Sequence, residues 1–334
     1  MSVERHTAET PAGERELPLV LLLRPLFPRF HVALTHKFRF LKPWESQLPP
    51  DEFLAAHAGA VRALLCSGPT PVDAELLASL PRLELVVASS AGVNHIDVAA
   101  CRRRGIAITN AGNAFTDDVA DFAVALLIDV LRKISASDRA INALPDICNS
   151  YGVGHVANLD KLGGKRVGII GLGSIGSAVA RRLGAFGCTI LYHSKRKKPS
   201  VSYKFFSNVT DLAAESDVLI TTCALTDETH HIIDKEVMLA LGKDGIIINV
   251  GRGALVDEKE LVRCLMEGEI GGAGLDVFKN EPVVPQELFH MDNVVLTHHQ
   301  AVFTPESFDG LLEVVMGNLE AFFSNKPLLT PISE

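Results

Sequence analysis

The chain has little aromatic character: Phe, Trp and Tyr make up 6% of it, and Trp44 is its one tryptophan, while aliphatic residues are abundant. That balance, over 334 residues, points to an α/β protein of about two domains with ample apolar material for burial. An excess of positive charge is also missing. The formal net charge is −8, which argues against a nucleic-acid partner, because that affinity comes largely from Lys and Arg neutralising phosphates. The one basic cluster, Lys195–Lys198, is short. Paired cysteines are missing as well: those at 66, 101, 148, 188, 223 and 264 form no CxxC and follow no secretory leader. A reducing, cytoplasmic setting without a structural metal is expected. No run is long enough for a membrane span; Leu17–Leu23 is very apolar, but Arg24, Pro25 and Pro28 close it at once, so it reads as a buried strand. The ending Pro331-Ile332-Ser333-Glu334 does not carry the Ser-Lys-Leu peroxisomal address.

What is present is alternation. Residues 1–16 are polar and aperiodic, an expected disordered tail. From Leu17, strands are expected at Leu19–Leu23, Ala63–Cys66, Leu85–Ala88 and Ile106–Thr109, with helices at Val72–Leu80 and Val98–Arg104. A long helix over Asp117–Lys133, with Thr116 as N-cap, leads out of this unit. Residues 135–164 read as a loop-like arm or subunit contact. The alternation then resumes with strands at Arg166–Ile170, Thr189–Tyr192, Val218–Thr222, Ile246–Val250, Gly272–Asp276 and Val294–Leu296. Helices are expected at Ser174–Phe186, Lys235–Leu241 and Glu258–Glu267. A closing helix begins at Thr304-Pro305-Glu306, with Pro at its first position. Strands alternating with helices imply parallel sheets, here two doubly wound ones. The expected domains are 17–113 with 304–334, discontinuous, and 114–303.

Gly171-Leu172-Gly173-Ser174-Ile175-Gly176 follows the strand Val167–Ile170 and opens a helix, the context a dinucleotide fingerprint requires. Gly171 allows the tight turn, Gly173 admits the pyrophosphate, and Gly176 lets helix and strand lie close. The helix N-terminus adds free N–H groups and partial positive charge. An NAD-preferring site places Asp or Glu at the end of the next strand, to accept from the ribose 2′-hydroxyl. That place reads Tyr192-His193-Ser194-Lys195-Arg196-Lys197-Lys198, with no acid. Ser194, Lys195 and Arg196 suit a 2′-phosphate, so NADPH is the expected cofactor, with NADH possible. A solvated basic turn is the alternative.

Arg252 lies between two glycines just past the strand Ile246–Val250, Glu281 lies beyond Gly272–Asp276, and His299 beyond Val294–Leu296. All three stand at the strand edge where doubly wound sheets bind ligands. Singly, Arg252 could pair with Asp257, Glu281 could be a turn acid before Pro282, and His299 a satisfied loop histidine. Jointly they form a site. A guanidinium fork can hold a carboxylate while polarising the adjacent carbonyl, an imidazole can donate a proton near neutral pH, and a carboxylate can fix its tautomer. His298 is an adjacent competitor, and strand register selects His299.

The ordered set GLGSIG, NVGRGALVDE, GLDVFKNEP and VVLTHHQA resembles the D-2-hydroxyacid dehydrogenase family from about Leu83 to Thr304, and Ser89–Asp97 resembles its substrate loop. The turn after Tyr192 looks most like plant-type NADPH-dependent glyoxylate and hydroxypyruvate reductases. The resemblance implies a flavodoxin-like substrate domain, a Rossmann cofactor domain and a homodimer. It implies Arg252, Glu281 and His299 as catalytic residues, and substrate-carboxylate binding at the N–H groups of Ala91 and Gly92. It also implies cofactor contacts from Thr226, Val250, Asp276 (to the carboxamide) and Ala301. The substrate so implied is a small 2-oxo acid. Departures lie at Val302-Phe303, bulkier than usual, at His298, where Pro is usual, and in the Trp-free arm. Two rival readings are a hydroxyphenylpyruvate reductase, which needs a larger pocket, and a dinucleotide-sensing corepressor built on the same scaffold.

Overall fold

The computed structural model describes residues 16–66, 68, 70–143 and 159–332. The expected tail up to residue 15 and the arm segment 144–158 lie outside the described residues. The chain divides into two compact units, one up to Ala111 and from Leu312 onward, the other Gly112–Leu311. The second crossing thus falls inside the last helix rather than at its start near Thr304.

In the first unit, β1 (Leu19–Leu22), α1 (Pro28–Thr35), β2 (Arg39–Leu41), α2 (Pro50–His57), β3 (Ala63–Cys66), α3 (Ala74–Ser79), β4 (Leu85–Ala88), α4 (Val98–Arg103) and β5 (Ala107–Thr109) follow in order. The five strands are parallel in the order β2-β1-β3-β4-β5, the flavodoxin-like winding. Strands β3 and β4 are wholly buried, as parallel strands covered on both faces must be. Asp73 and Asp97 cap α3 and α4 through bonds from Leu76 N and Ala100 N.

The second unit starts with α5 (Thr116–Arg132) and α6 (Ile134–Ala143). It continues through β6 (Arg166–Ile170), α7 (Ser174–Ala185), β7 (Thr189–His193), β8 (Lys204–Phe206), α8 (Val209–Ala214), β9 (Val218–Thr221) and α9 (Lys235–Leu241). It ends with β10 (Ile246–Asn249), α10 (Glu258–Met266), β11 (Gly272–Leu275) and β12 (Val294–Leu296), and α11 (Pro305–Phe323) then crosses into the first unit. Seven parallel strands run β12-β11-β10-β9-β6-β7-β8. The winding reverses at β6 and β9, where dinucleotides bind in such sheets.

Two expectations are corrected, and two strands were not expected. Thr116 is the first residue of α5, and Phe115 takes the cap position without a side-chain bond. Residues 135–143 are helical rather than loop-like. Their start is held by Asp129, which accepts from Ser135 N at 2.8 Å and from its hydroxyl, after a left-handed Lys133. Finally, the edge strands β2 and β8, three residues each, lack the continuous apolar run of central strands and leave little signal.

The stretch after α11 is fastened to the first unit by Asn318, which is fully buried. Its Nδ2 donates to Val314 O and Thr330 Oγ1, and its Oδ1 accepts from Leu329 N and Thr330 N. Asn318→Ala should destabilise the protein by about 3 kcal/mol, because it strands several buried polar groups at once. Urea unfolding checks this, and a change below about 0.5 kcal/mol would contradict it.

Candidate active site

The turn after β6 is shaped by contacts rather than by flexibility. Gly171 has φ +100°, and a Cβ there would lie 2.5 Å from Cys223 N. A Cβ at Gly176 would fall 2.1 Å from Gly171 O, so helix α7 can sit this close only without one. A Cβ at Gly173 would instead meet nothing within 4 Å. Leu172 is buried, Ile175 half-buried, and Gly173 and Ser174 are exposed at the start of α7, which has no side-chain cap. Open space beside uncapped N–H groups fits a dinucleotide pyrophosphate. Thr222, which sequence reasoning missed, donates from Oγ1 to Gly171 O at 2.6 Å and braces the turn.

Beyond β7, buried Tyr192 accepts from Lys198 N at 2.9 Å, and Ser194 Oγ donates to Arg196 O at 2.7 Å. The basic turn is therefore ordered. Lys195 Nζ lies 3.2 Å from Glu228 Oε2, and the Arg196 side chain is exposed with no hydrogen bond or ion pair among the described residues. Glu228 is carried by a turn in which Thr226 N donates to Thr229 Oγ1 at 2.8 Å. Among the described residues it is the one acid paired with this cluster, and it comes from a different loop, so its sequence position gave no signal.

The three expected catalytic residues come from neighbouring strand ends. Arg252 follows β10 in extended backbone, and its Nη1 donates to Gly251 O at 2.8 Å. Gly253 then packs on the loop after β11, where a Cβ would fall 1.9 Å from Phe278 C. Phe278 N donates to Glu281 Oε1 at 3.1 Å, and Glu281 Oε2 lies 2.8 Å from His299 Nδ1. A carboxylate only accepts, so Nδ1 carries the hydrogen. Burial lowers the proton affinity of the Arg252 guanidinium, and the charge of Glu281 partly offsets this. His298 is exposed and has no partner among the described residues. Glu281 pairs with His299, and Asp257 caps α10 instead of pairing with Arg252.

Asp276 is buried and serves the loop that carries the imidazole. Its carboxylate accepts from Thr297 Oγ1 at 2.7 Å, Gln300 N at 2.9 Å and Ala301 N at 3.2 Å, and its carbonyl accepts from His299 N at 2.7 Å. His299 itself has φ +57°, an uncommon conformation that these bonds hold. Val250, just past β10, and Ala301, two residues after His299, are both buried. In the first unit, the carbonyls of Ala91 and Gly92 accept from Asn110 Nδ2 and Ser90 Oγ. Their N–H groups make no hydrogen bond among the described residues. No described helix is long and apolar enough to cross a membrane, and no cluster of metal-binding side chains occurs among the described residues.

Residues 124–301 match the family model "D-isomer specific 2-hydroxyacid dehydrogenase, NAD binding domain". The chain belongs to that family. It is 54% identical to glyoxylate/hydroxypyruvate reductase HPR3 of Arabidopsis thaliana over 323 residues, covering 96% of this chain and 99% of the relative. It is 44% identical to the hydroxyphenylpyruvate reductase of Plectranthus scutellarioides, covering 94% and 98%. Among solved structures, an NADPH-dependent glyoxylate/hydroxypyruvate reductase from Sinorhizobium meliloti in complex with NADP and malonate superposes with a TM-score of 0.86. It shares 33% identity, with 95% and 97% of the two chains covered. The winding of the two sheets and the strand-end loops thus belong to an NAD(P)-dependent 2-hydroxyacid dehydrogenase.

The site's electrostatics make a testable statement about stability. Burial alone would raise the Glu281 carboxyl, but hydrogen bonds from His299 and Phe278, with the charges of His299 and Arg252, hold it below its ordinary value of 4.5. A depressed folded value gives stability that is present above the unfolded value and lost as pH falls through the folded one. The advantage of wild type over Glu281→Gln should therefore be constant near neutrality and shrink below about pH 4.5. Urea melts of both proteins at pH 7 and pH 3.5 check this, and an unchanged difference would contradict it.

Proposed function

We propose that this protein reduces small 2-oxo acids, glyoxylate and hydroxypyruvate, to D-2-hydroxy acids with preference for NADPH. The observation that carries the reading is the His299–Glu281 pair, 2.8 Å apart, on strand-end loops that also present Arg252. The dinucleotide is held by Gly171 to Gly176 at its pyrophosphate and by Ser194, Lys195 and Arg196 at its 2′-phosphate. Thr226, Val250, Asp276 and Ala301 line the remainder. Bound there, the cofactor supplies the hydride that the substrate C2 accepts.

The chain's own residues do the rest. Arg252 binds the substrate carboxylate through one arm of its fork and polarises the C2 carbonyl through the other. For the first unit, the family resemblance implies carboxylate donors at the N–H groups of Ala91 and Gly92. His299 gives its Nε2 proton to the developing alkoxide; Nδ1 is engaged by Glu281, so only Nε2 is available. After transfer the imidazole is neutral and keeps Nδ1–H on Glu281. A homodimer in the cytoplasm is part of the proposal, supported by the exposed Ile134 and Ile141 on α6 and by five described cysteines that stand as free thiols.

A second reading has one specific observation behind it. Phe303 is exposed four residues after His299 and stacks on Phe308, with ring centroids 6.0 Å apart, a surface suited to the aromatic ring of hydroxyphenylpyruvate. A steady-state panel of glyoxylate, hydroxypyruvate, pyruvate and hydroxyphenylpyruvate, each with NADH and NADPH, distinguishes the readings by kcat/KM. Turnover with none of them would support a dinucleotide-sensing role instead.

Two variants test the assignments. His299→Ala should lower kcat roughly 10³-fold while His298→Ala stays within about threefold of wild type; the reverse pattern would move the acid to His298. Arg196→Ala should lower kcat/KM for NADPH by about tenfold or more and leave NADH within about twofold. Equal efficiency of wild type with both cofactors would refute the preference.

A further inference from the structure

The carboxyl ends of two central strands carry polar residues that the reaction as proposed leaves unused. Strand β9 reads Val-Leu-Ile-Thr and β10 reads Ile-Ile-Ile-Asn, and the register sets Thr221 directly beside Asn249. Thr221 is fully buried and Asn249 is 1% exposed. Placing a hydroxyl and a carboxamide, one after each run of three apolar residues, at the buried last positions of these strands is costly unless every polar group is paired.

They are paired, in one direction only. Gly251 N can only donate, and it lies 3.1 Å from Asn249 Oδ1, while Arg252 O can only accept, and it lies 2.9 Å from Nδ2. The carboxamide orientation is thereby fixed. Thr221 Oγ1, 2.6 Å from Oδ1, must be the donor; its other acceptor, Ile248 O, is 3.5 Å away. The Thr221 hydroxyl thus holds Asn249, and Asn249 grips the backbone on both sides of the Gly251–Arg252 peptide. The guanidinium in turn rests on Gly251 O at 2.8 Å. Asn249 O also accepts from Asp276 N at 3.0 Å, which ties the same residue to the strand end that supports His299.

We infer that Thr221 and Asn249 are positioning residues that aim the Arg252 guanidinium, so that substrate affinity and orientation depend on a hydroxyl buried one strand away from it. This rests on the role proposed for Arg252. Loss of the hydroxyl leaves Asn249 Oδ1 with Gly251 N as its one donor and frees the carboxamide to turn away from Arg252 O. The guanidinium then loses a fixed base, and small displacements of a group that orients a reactant are costly in rate.

The test is a pair of near-isosteric substitutions. Thr221→Val removes the hydroxyl and keeps the shape, whereas Thr221→Ser keeps the hydroxyl and removes a methyl group. Steady-state constants for hydroxypyruvate and NADPH-binding constants by calorimetry are measured on the full-length protein, with thermal midpoints. Thr221→Val should raise the hydroxypyruvate KM about tenfold and lower kcat severalfold, with NADPH affinity within about twofold of wild type. Thr221→Ser should restore both constants. Thr221→Ala serves as a second hydroxyl-free variant should the valine protein fail to fold. Unchanged kinetic constants with a lowered midpoint, or equal impairment by Val and Ser, would reduce the pair to a structural role and overturn the inference. Arg252→Lys separates the two levels. If it leaves the hydroxypyruvate KM unaltered, the role of Arg252 falls, and the inference with it; if it raises KM while Thr221→Val does not, only the inference falls.

Discussion

The parallel register at the carboxyl ends of β9, β10 and β11 is the constraint on which the site depends. It sets Thr221 beside Asn249 and Asn249 beside Leu275, so the chain leaves three adjacent strands at one level. Each departure then has a short task. After β10 the chain presents Arg252 within four residues, and after β11 it presents Asp276 at once. Asp276 N bonds back to Asn249 O while its carbonyl receives His299 N. A one-residue slip would turn every one of these side chains to the opposite face. The aliphatic cores of the strands fix the register, and the polar residues at their ends make use of it.

Charge is placed with equal economy. Asp276 is buried, Arg252 half-buried and Glu281 more exposed, and each meets a defined partner or set of donors. Asp276 is satisfied by two backbone N–H groups and a threonine hydroxyl, so its charge stabilises a loop conformation that places His299 at positive φ. Glu281 is satisfied by Phe278 N–H and the His299 ring. For Glu281 these hydrogen bonds, with the charges of His299 and Arg252, outweigh burial and hold its carboxyl below its ordinary value. The imidazole is thereby held by an acid at its ring and by another acid through its backbone.

How much of this was legible in the sequence follows from the same physics. Central strands such as β3, β4 and β10 announce themselves because both faces are buried and the run is continuous. The Asx caps of α3, α4, α9 and α10 stand one residue before each helix and are readable locally. Residues that act at short range along the chain, the Gly171–Gly176 turn among them, were legible for that reason. Edge strands β2 and β8 and helix α6 were not, since the first two bury little and the third is started by Asp129, six residues before the donor it caps. In the candidate site, Arg252, Glu281 and His299 were expected from their places after strands, and the structure sets Glu281 beside His299. Thr221, Thr222 and Glu228 were not, because their partners Asn249, Gly171 and Lys195 lie 28, 51 and 33 positions away.

Glu228 shows why distance in sequence matters for specificity. Read locally, the turn after β7 has no acid, and that absence is what suits it to a 2′-phosphate. The fold returns an acid from another loop to Lys195. Both side chains of the pair are mostly solvated, at 79% and 72% exposure, so the contact is worth no more than about 1 kcal/mol and is weakened further by salt. A phosphate carries nearly two negative charges and three acceptor oxygens. It therefore competes well for Lys195, while Arg196, unpaired among the described residues, is available to it from the start. An acid fixed at the strand end, as in NAD-preferring turns, would accept directly from a ribose hydroxyl; an acid reaching in from a separate loop onto a flexible lysine gives no such fixed acceptor. What is rigid in this turn is the braced backbone from Tyr192 to Lys198, and its exposed lysine leaves Glu228 at little cost.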